Sequence, residues 1–253
     1  MVSDDPLRVT VLGCAGSYPG PGTACSGYLV RGSGVSVAVD LGPGTLANLQ
    51  QHIELGELDA VVLSHAHPDH WTDLSVLRTA WKYALGRTGL VVAGTAETRH
   101  RAEAMTADGL APTFDWVTVA DGSELEVGPL HFDFSETDHY VETLAVRVAA
   151  DAAGPALAYS ADTGPGWSFA DFGRPVALAV CEASHLAADE PLGILHLSAR
   201  QAGAMCRRAG VEQLVLTHLV PGSDPEAARS EAAASFGKPV DVATAHTTYE
   251  VPL

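Results

Sequence analysis

The segment from residue 64 to residue 70, with the sequence SHAHPDH, carries the most concentrated chemistry in the chain. Its three histidines and one aspartate offer imidazole nitrogens and carboxylate oxygens, which are ligands that Zn²⁺ and Mn²⁺ accept. Because residues alternate sides in an extended segment, His65 and His67 can face one point. Asp69 and His70 then turn toward a second point as a helix begins. The pattern predicts a dinuclear metal site that activates water, and the alternative is a surface loop that is merely rich in histidine.

Two predicted elements hold this segment in place. An apolar strand at Ala60–Ser64 leads into it, and a helix at Trp71–Leu85 with apolar residues at helical spacing follows it. Thr72 is the predicted N-cap of that helix and Gly86 its end. The histidine-rich segment is therefore predicted to be a loop at the carboxyl end of a buried strand.

Strands and helices alternate along the rest of the chain, and no linker, repeat or low-complexity stretch divides it. The pattern predicts one α/β domain over residues 1–253, in which helix, sheet, sheet and helix form four layers (an αββα sandwich). The other predicted helices are Thr45–Leu55, Thr95–Thr106, one that begins at the Ser198–Gln201 capping box and one that begins at Asp224-Pro225. The other predicted strands are Arg8–Leu12, one near Tyr28, Ser36–Asp40, Leu90–Val92, several within Val117–Val148, Ala156–Ser160, Val176–Val180, Gln213–Thr217 and Val240–Ala243.

Four motifs in order resemble those of the metallo-β-lactamase-fold hydrolases. His65 to His70 matches the HxHxDH signature of that family. Thr137-Asp138-His139, Tyr159-Ser160-Ala161-Asp162-Thr163 and Leu216-Thr217-His218 resemble its later ligand motifs. Alanine at position 161 replaces the glycine that is usual in this family, which adds a methyl group and leaves the aspartate in place. Taken singly, the two later histidines would suit a core or turn position, and the aspartate an Asx turn, equally well.

The resemblance extends from Val9 to Val242 and implies the metallo-β-lactamase fold, with two packed mixed sheets flanked by helices. It also implies two divalent metal ions per chain, with Zn²⁺ favoured and Mn²⁺ as the alternative. The implied ligands are His65, His67 and His139 for one ion and Asp69, His70 and His218 for the other, with Asp162 between the two ions. Asp69 would also hold a proton of the attacking water.

Two further motifs narrow the resemblance to the ribonuclease Z-like branch of this family. Cys181-Glu182-Ala183-Ser184 and His196-Leu197-Ser198 resemble the two elements in which a glutamate orients a histidine that acts as general acid. This implies that Glu182 orients His196. The alternative is that Glu182 is solvated and that His196 merely precedes a helix cap. His185 has no clear counterpart in the family, and Trp71, Trp81 and Tyr83 suit base stacking or core packing equally well.

The charge balance argues against a nucleic-acid partner. Lys and Arg number 14 against 31 Asp and Glu, which gives a formal net charge of −17. Ribonuclease Z carries a long arm that grips tRNA between its third ligand and the bridging aspartate. Here His139 and Asp162 are only 23 positions apart, and residues 151–155 suffice for a hairpin turn. Both observations disfavour structured RNA as a substrate.

The remaining features predict a cytoplasmic protein without a membrane segment. The first residues lack a basic region followed by an apolar run, so no signal peptide is expected. Four cysteines occur without a CxxC pair, as expected for reduced thiols. The sequence does not decide between a monomer and a homodimer.

Together these observations predict a dinuclear metal-dependent hydrolase, and most specifically a phosphodiesterase acting on a small phosphodiester such as a cyclic nucleotide. The resemblance is to the armless ribonuclease Z-like group that includes the atypical class II cyclic-nucleotide phosphodiesterases. A ribonuclease Z-type RNA 3′-processing endonuclease shares every motif and is the first alternative. A lactonase or thioesterase of the same fold is the second, although neither would need Glu182 and His196.

Overall fold

The computed structural model describes residues 5–190, 193 and 195–252. Its strands, in chain order, are β1 (Arg8–Gly13), β2 (Gly27–Gly32), β3 (Val35–Leu41), β4 (Ala60–Val62), β5 (Leu90–Gly94), β6 (Phe114–Thr118), β7 (Glu124–Val127), β8 (Leu130–Glu136), β9 (Leu144–Ala149), β10 (Leu157–Tyr159), β11 (Leu178–Glu182), β12 (Gln213–Thr217), β13 (Val240–Val242) and β14 (Thr248–Glu250). The α-helices are α1 (Thr45–Leu49), α2 (Pro68–Trp71), α3 (Asp73–Thr79), α4 (Ala96–Ala104), α5 (Ala199–Arg208) and α6 (Pro225–Phe236).

Two seven-stranded mixed sheets form the centre of the molecule. Their strand orders are β14-β1-β2-β3-β4-β5-β6 and β13-β12-β11-β10-β9-β8-β7. Strands β3 to β6 run parallel in the first sheet and β10 to β13 run parallel in the second. Loops at the carboxyl ends of the parallel strands β4, β10 and β12, together with the loop after β8, form the site described below.

Three clusters of buried apolar side chains separate four layers. One cluster fills the space between the sheets and includes Val37, Val146 and Val180. A second lies between the first sheet and its helices, and a third lies between the second sheet and the helices α5 and α6. Strands that bury both faces in this way are almost wholly apolar, as the sequence of β11 illustrates. The predicted αββα sandwich is confirmed.

Several predicted boundaries were wrong for local reasons. The helix predicted over Trp71–Leu85 begins at Pro68, because proline suits the first turn of a helix. Thr72 occupies the N-cap position of α3, but its backbone is helical and its hydroxyl donates to the carbonyl of Pro68 at 2.9 Å instead of capping the helix. After α3 the chain continues as a π-helical turn at Ala80–Ala84, and Gly86, with φ of 62°, lies just beyond the end. The first helix ends at Leu49 instead of residue 55.

Two edge strands depart from the predicted pattern. Strand β6 starts before the predicted meander and pairs parallel with β5 in the first sheet. Strand β14, which the sequence did not predict, pairs antiparallel with β1. Between β9 and β10 the chain makes the predicted short connection, over residues 150–156. Within the ranges described, no helix has both the length and the apolar character needed to cross a membrane.

Candidate metal centre

All seven predicted ligands lie together where the loops of the two sheets meet. The loop after β4 contributes His65, His67, Asp69 and His70. Loops of the second sheet contribute the rest: His139 follows β8, Asp162 follows β10 and His218 follows β12. Both groups of side chains that the sequence predicted are present, and a third set of close donor atoms joins Asp162 and His218 to His196.

The first group consists of His65, His67, His139 and Asp162, whose donor atoms lie within 4.8 Å of one another. His139 Nε2 is 3.1 Å from His67 Nδ1, and His65 Nε2 is 3.5 Å from Asp162 Oδ2. Three nitrogens and one carboxylate oxygen thus converge on one point. Such a set can hold a divalent cation.

The second group consists of Asp69, His70 and His218. His218 Nε2 lies 3.3 Å from Asp69 Oδ2 and 3.4 Å from His70 Nε2. Asp162 Oδ1 faces this group at 3.2 Å from His70 Nε2, while its Oδ2 faces the first group. The two oxygens of Asp162 are therefore divided between the groups, as a bridging carboxylate requires.

Two buried atoms at the centre lack a hydrogen-bond partner in the described part of the chain. They are His65 Nε2 and Asp162 Oδ1. An unsatisfied buried polar atom costs free energy, so native proteins rarely keep one without a ligand or another partner. The cluster of histidine and aspartate side chains is thus suited to bind metal.

Hydrogen bonds to the other ring nitrogen orient four of the histidines. His70 Nδ1 donates to Asp40 Oδ2 at 2.7 Å, and His139 Nδ1 donates to the carbonyl of Leu195 at 3.0 Å. Hydroxyl oxygens play the same part elsewhere: Ser64 Oγ is 3.0 Å from His65 Nδ1, and Ser184 Oγ is 2.9 Å from His218 Nδ1. Each contact fixes the ring and leaves Nε2 for the cluster.

Asp40, near the end of β3, contacts the cluster and was not among the site residues predicted from the sequence. It is fully buried and accepts hydrogen bonds from His70 Nδ1, the Ser64 amide and hydroxyl (both 2.8 Å) and Tyr159 OH (3.1 Å). Its φ of 57° lies in the left-handed region. The available signal was a carboxylate at the end of an otherwise apolar strand.

The carboxylates dominate the electrostatics of the cluster. Burial opposes a charge on His70, but Asp162 and Asp40 outweigh burial and raise the pKa of His70 well above its usual value. Burial likewise opposes a charge on Asp162, and His218 and His70 outweigh it, so the pKa of Asp162 lies well below its usual value. Buried negative charge of this kind favours a positive partner, whether a proton or a metal cation.

Glu182 and His196 form a pair beside the cluster. His196 Nδ1 donates to Glu182 Oε1 at 2.8 Å, and the ring of His196 stacks on that of His218 at 5.4 Å between centroids. Glu182 is fully buried and also accepts the Thr163 amide at 2.8 Å and the Ser184 hydroxyl at 2.9 Å. The alternative of a solvated glutamate is wrong. Burial opposes protonation of His196, but the hydrogen bond to Glu182 and the charge of Glu182 outweigh burial and raise the pKa of His196 to about 9.

The other histidines and aromatic residues lie outside the two ligand groups. His185 is half-buried, with its ring 6.3 Å from that of His196. Trp71 and Trp81 are buried in the core between the first sheet and its helices, and Trp71 Nε1 donates to the carbonyl of Ala66 within the histidine-rich loop. Tyr83 is exposed. Both tryptophans therefore pack in the core, and Trp71 also braces the loop.

Ala161, next to the bridging carboxylate, has a strained backbone. Its φ is 51°, a conformation that glycine adopts without the steric cost that a Cβ atom incurs. The alanine that replaces the family's usual glycine therefore does more than add a methyl group, because the surrounding structure must hold it in place.

Comparisons with known proteins agree with this geometry. A family model described as Beta-lactamase superfamily domain matches residues 35–219. The uncharacterized protein Rv1339 of Mycobacterium tuberculosis is 35% identical over 254 residues, which cover 97% of this chain and 92% of that protein. Ribonuclease Z of Methanopyrus kandleri is 28% identical over 271 residues, covering 92% of this chain and 94% of that enzyme.

A solved structure is similar over almost the whole chain. The crystal structure of the metallo-β-lactamase fold protein YhfI from Bacillus subtilis superposes with a TM-score of 0.88 at 29% identity, covering 97% of this chain and 99% of that one. In sequence comparison the same relative bears the name probable metallo-hydrolase. The chain therefore belongs to the β-lactamase superfamily, with the fold and the metal-binding residues of a metallo-hydrolase.

Proposed function

We propose that this protein is a dinuclear metal-dependent phosphodiesterase that hydrolyses small phosphodiesters such as cyclic nucleotides. The observation that carries the proposal is the Glu182–His196 pair beside the ligand cluster. An alkoxide is a poor leaving group, and a positioned imidazolium can protonate it as it departs. A lactonase or thioesterase would not need this pair.

In this proposal the seven clustered side chains hold two divalent ions, with Zn²⁺ favoured and Mn²⁺ as the alternative. One ion would be bound by His65, His67 and His139, and the other by Asp69, His70 and His218. Asp162 would be a ligand of both ions. Bound ions would lower the pKa of water and neutralise negative charge on the phosphate. The remaining steps are proton transfers, which side chains of this protein would carry out.

Proton transfer is assigned to His196 and Asp69. The Nδ1 proton of His196 stays on the ring and is hydrogen-bonded to Glu182, and the Nε2 proton is transferred to the departing oxygen. The raised pKa of His196, about 9, favours the imidazolium form needed for this donation at neutral pH. The carboxylate of Asp69, which accepts the Ser17 amide at 2.9 Å, holds the proton of the attacking water.

Two features favour a small substrate over structured RNA. The connection at residues 150–156 is too short to form the arm that ribonuclease Z uses to grip tRNA. The formal net charge of −17 repels a polyanion at long range. The similarity to a ribonuclease Z keeps RNA processing as the alternative that the experiment must test.

The experiment compares substrates on protein loaded with Mn²⁺ or Zn²⁺. The substrates are bis(p-nitrophenyl) phosphate, 2′,3′- and 3′,5′-cyclic nucleotides, a pre-tRNA and a homoserine lactone. We expect kcat/KM to be highest for a small diester. A higher kcat/KM for cleavage of pre-tRNA at its 3′ end would favour the ribonuclease alternative, and a higher value for the lactone would favour acyl chemistry.

A further inference from the structure

Tyr140 makes two hydrogen bonds to the segment that leads into His196. Its hydroxyl accepts the amide proton of Leu195 at 2.9 Å and donates to the carbonyl of Gly193 at 3.0 Å. Tyr140 is 55% exposed, so apolar burial explains little of its presence there. The two hydrogen bonds of the hydroxyl are therefore the contacts through which this side chain acts on the segment before His196.

These bonds combine with one from the neighbouring ligand. His139 Nδ1 donates to the carbonyl of Leu195 at 3.0 Å. Leu195 is thus held through both its amide and its carbonyl by two consecutive residues, His139 and Tyr140. The turn that supplies a candidate metal ligand also fixes the residue immediately before His196.

The chain after His196 is anchored independently. The amide of Leu197 donates to Glu182 Oε2 at 3.3 Å, and its carbonyl accepts the amide of His185 at 3.2 Å. His196 therefore lies between two anchored residues, and only the anchor that precedes it depends on Tyr140. Loss of the Tyr140 hydroxyl would leave Leu195 tied by its carbonyl alone.

We propose that Tyr140 is a positioning residue that sets the orientation of His196 toward the leaving group by fixing the backbone of Leu195. This inference rests on the proposed function. It assigns Tyr140 no contact with the substrate and no metal ligand. Its effect should therefore appear only where protonation by His196 limits the rate.

The test is Tyr140→Phe, which keeps the ring and removes only the hydroxyl. With a 3′,5′-cyclic nucleotide, whose leaving group is an alkoxide, we expect kcat to fall about 5- to 50-fold, the effect of losing two hydrogen bonds. With bis(p-nitrophenyl) phosphate the fall should be less than about 2-fold, because p-nitrophenolate needs little protonation. KM and the metal content should not change. Tyr249→Phe, at the half-buried tyrosine of β14, is the matched control and should have wild-type activity.

Two further measurements separate positioning from a general structural role. Amide hydrogen exchange at Leu195 should become faster in Tyr140→Phe, because its acceptor has been removed. In a His196→Ala background, Tyr140→Phe should cause no further loss on the cyclic nucleotide, since the residue it positions is absent. Equal losses on both substrates, or losses additive with His196→Ala, would overturn the inference while leaving the proposed function intact. If the wild-type protein cleaved neither diester, both would fall.

Discussion

The substitution Asp40→Asn tests whether the buried carboxylate behind His70 controls metal affinity. Asparagine has the same shape as aspartate and tolerates the φ of 57° at this position, so the backbone should be retained. Asp40 Oδ2 accepts from His70 Nδ1 and from the hydroxyls of Ser64 and Tyr159, and Oδ1 accepts the Ser64 amide. All four donors therefore depend on a group with two acceptor oxygens.

An amide cannot satisfy this arrangement in either orientation. If its oxygen replaces Oδ2, its NH₂ group meets the Ser64 amide. If its oxygen replaces Oδ1, its NH₂ group meets His70 Nδ1 and favours the tautomer that protonates Nε2, the nitrogen that faces the cluster. One buried donor left unsatisfied costs about 1–3 kcal/mol of unfolding free energy. Loss of a carboxylate that orients a ligand histidine typically weakens metal binding by about 10- to 100-fold.

The assay is competition for Zn²⁺ against a chromogenic chelator, together with urea unfolding of the metal-free protein. Asp73→Asn is the matched control, because Asp73 Oδ2 accepts the amides of Gly44 and Leu46 at 2.9 Å. Because the amide oxygen of asparagine can take the position of Oδ2 and keep both hydrogen bonds, we expect the control to change stability little and metal affinity not at all. Wild-type affinity for both ions in Asp40→Asn would refute the reasoning.

Three other substitutions should have separable effects. Asp162→Ala should reduce the bound metal from two ions per chain to one or none by elemental analysis, and unchanged content would contradict the bridging assignment. His196→Ala should lower kcat on an alkyl diester by about 10²- to 10⁴-fold and on a p-nitrophenyl diester much less, with metal content unchanged; equal losses would instead indicate a binding role. Arg147→Met should cost about 1–3 kcal/mol in urea unfolding, because the fully buried guanidinium donates to Asp133 Oδ2 at 2.8 Å, while Asp133 keeps its ion pair with Arg174. The metal content of Arg147→Met should not change, and a wild-type unfolding midpoint would show that the ion pair contributes nothing to stability.

The ligand cluster could be predicted because its signals are local. Spacing within His65 to His70 predicted a two-metal site, and the resemblance of the motifs at His139, Asp162 and His218 to those of the family implied the remaining ligands. The four-layer architecture followed from apolar strands alternating with helices, which each need a partner face. These features depend on neighbours in sequence or on a pattern repeated along the chain.

The missed features depend on contacts between distant segments. Asp40 lies next to Ser64 because β3 pairs parallel with β4 in a register that joins Val39 to Val62. No local pattern in the sequence reveals that register. The bonds from Tyr140 to Leu195 likewise join residues 55 positions apart. Positions such as these become visible only once the strands have been assembled.

Each ligand group draws on both sheets, and this has a thermodynamic consequence. An ion in the first group would join His67 to His139, and an ion in the second would join Asp69 to His218, so each would act as a cross-link between the two halves of the sandwich. The unfolded chain can offer only the neighbouring donors of residues 65–70, so binding would stabilise the folded state far more than the unfolded state. Above the dissociation constant, each tenfold rise in free metal would add about 1.4 kcal/mol per site. The heat resistance of this protein would then be set by the metal buffer around it as much as by its core.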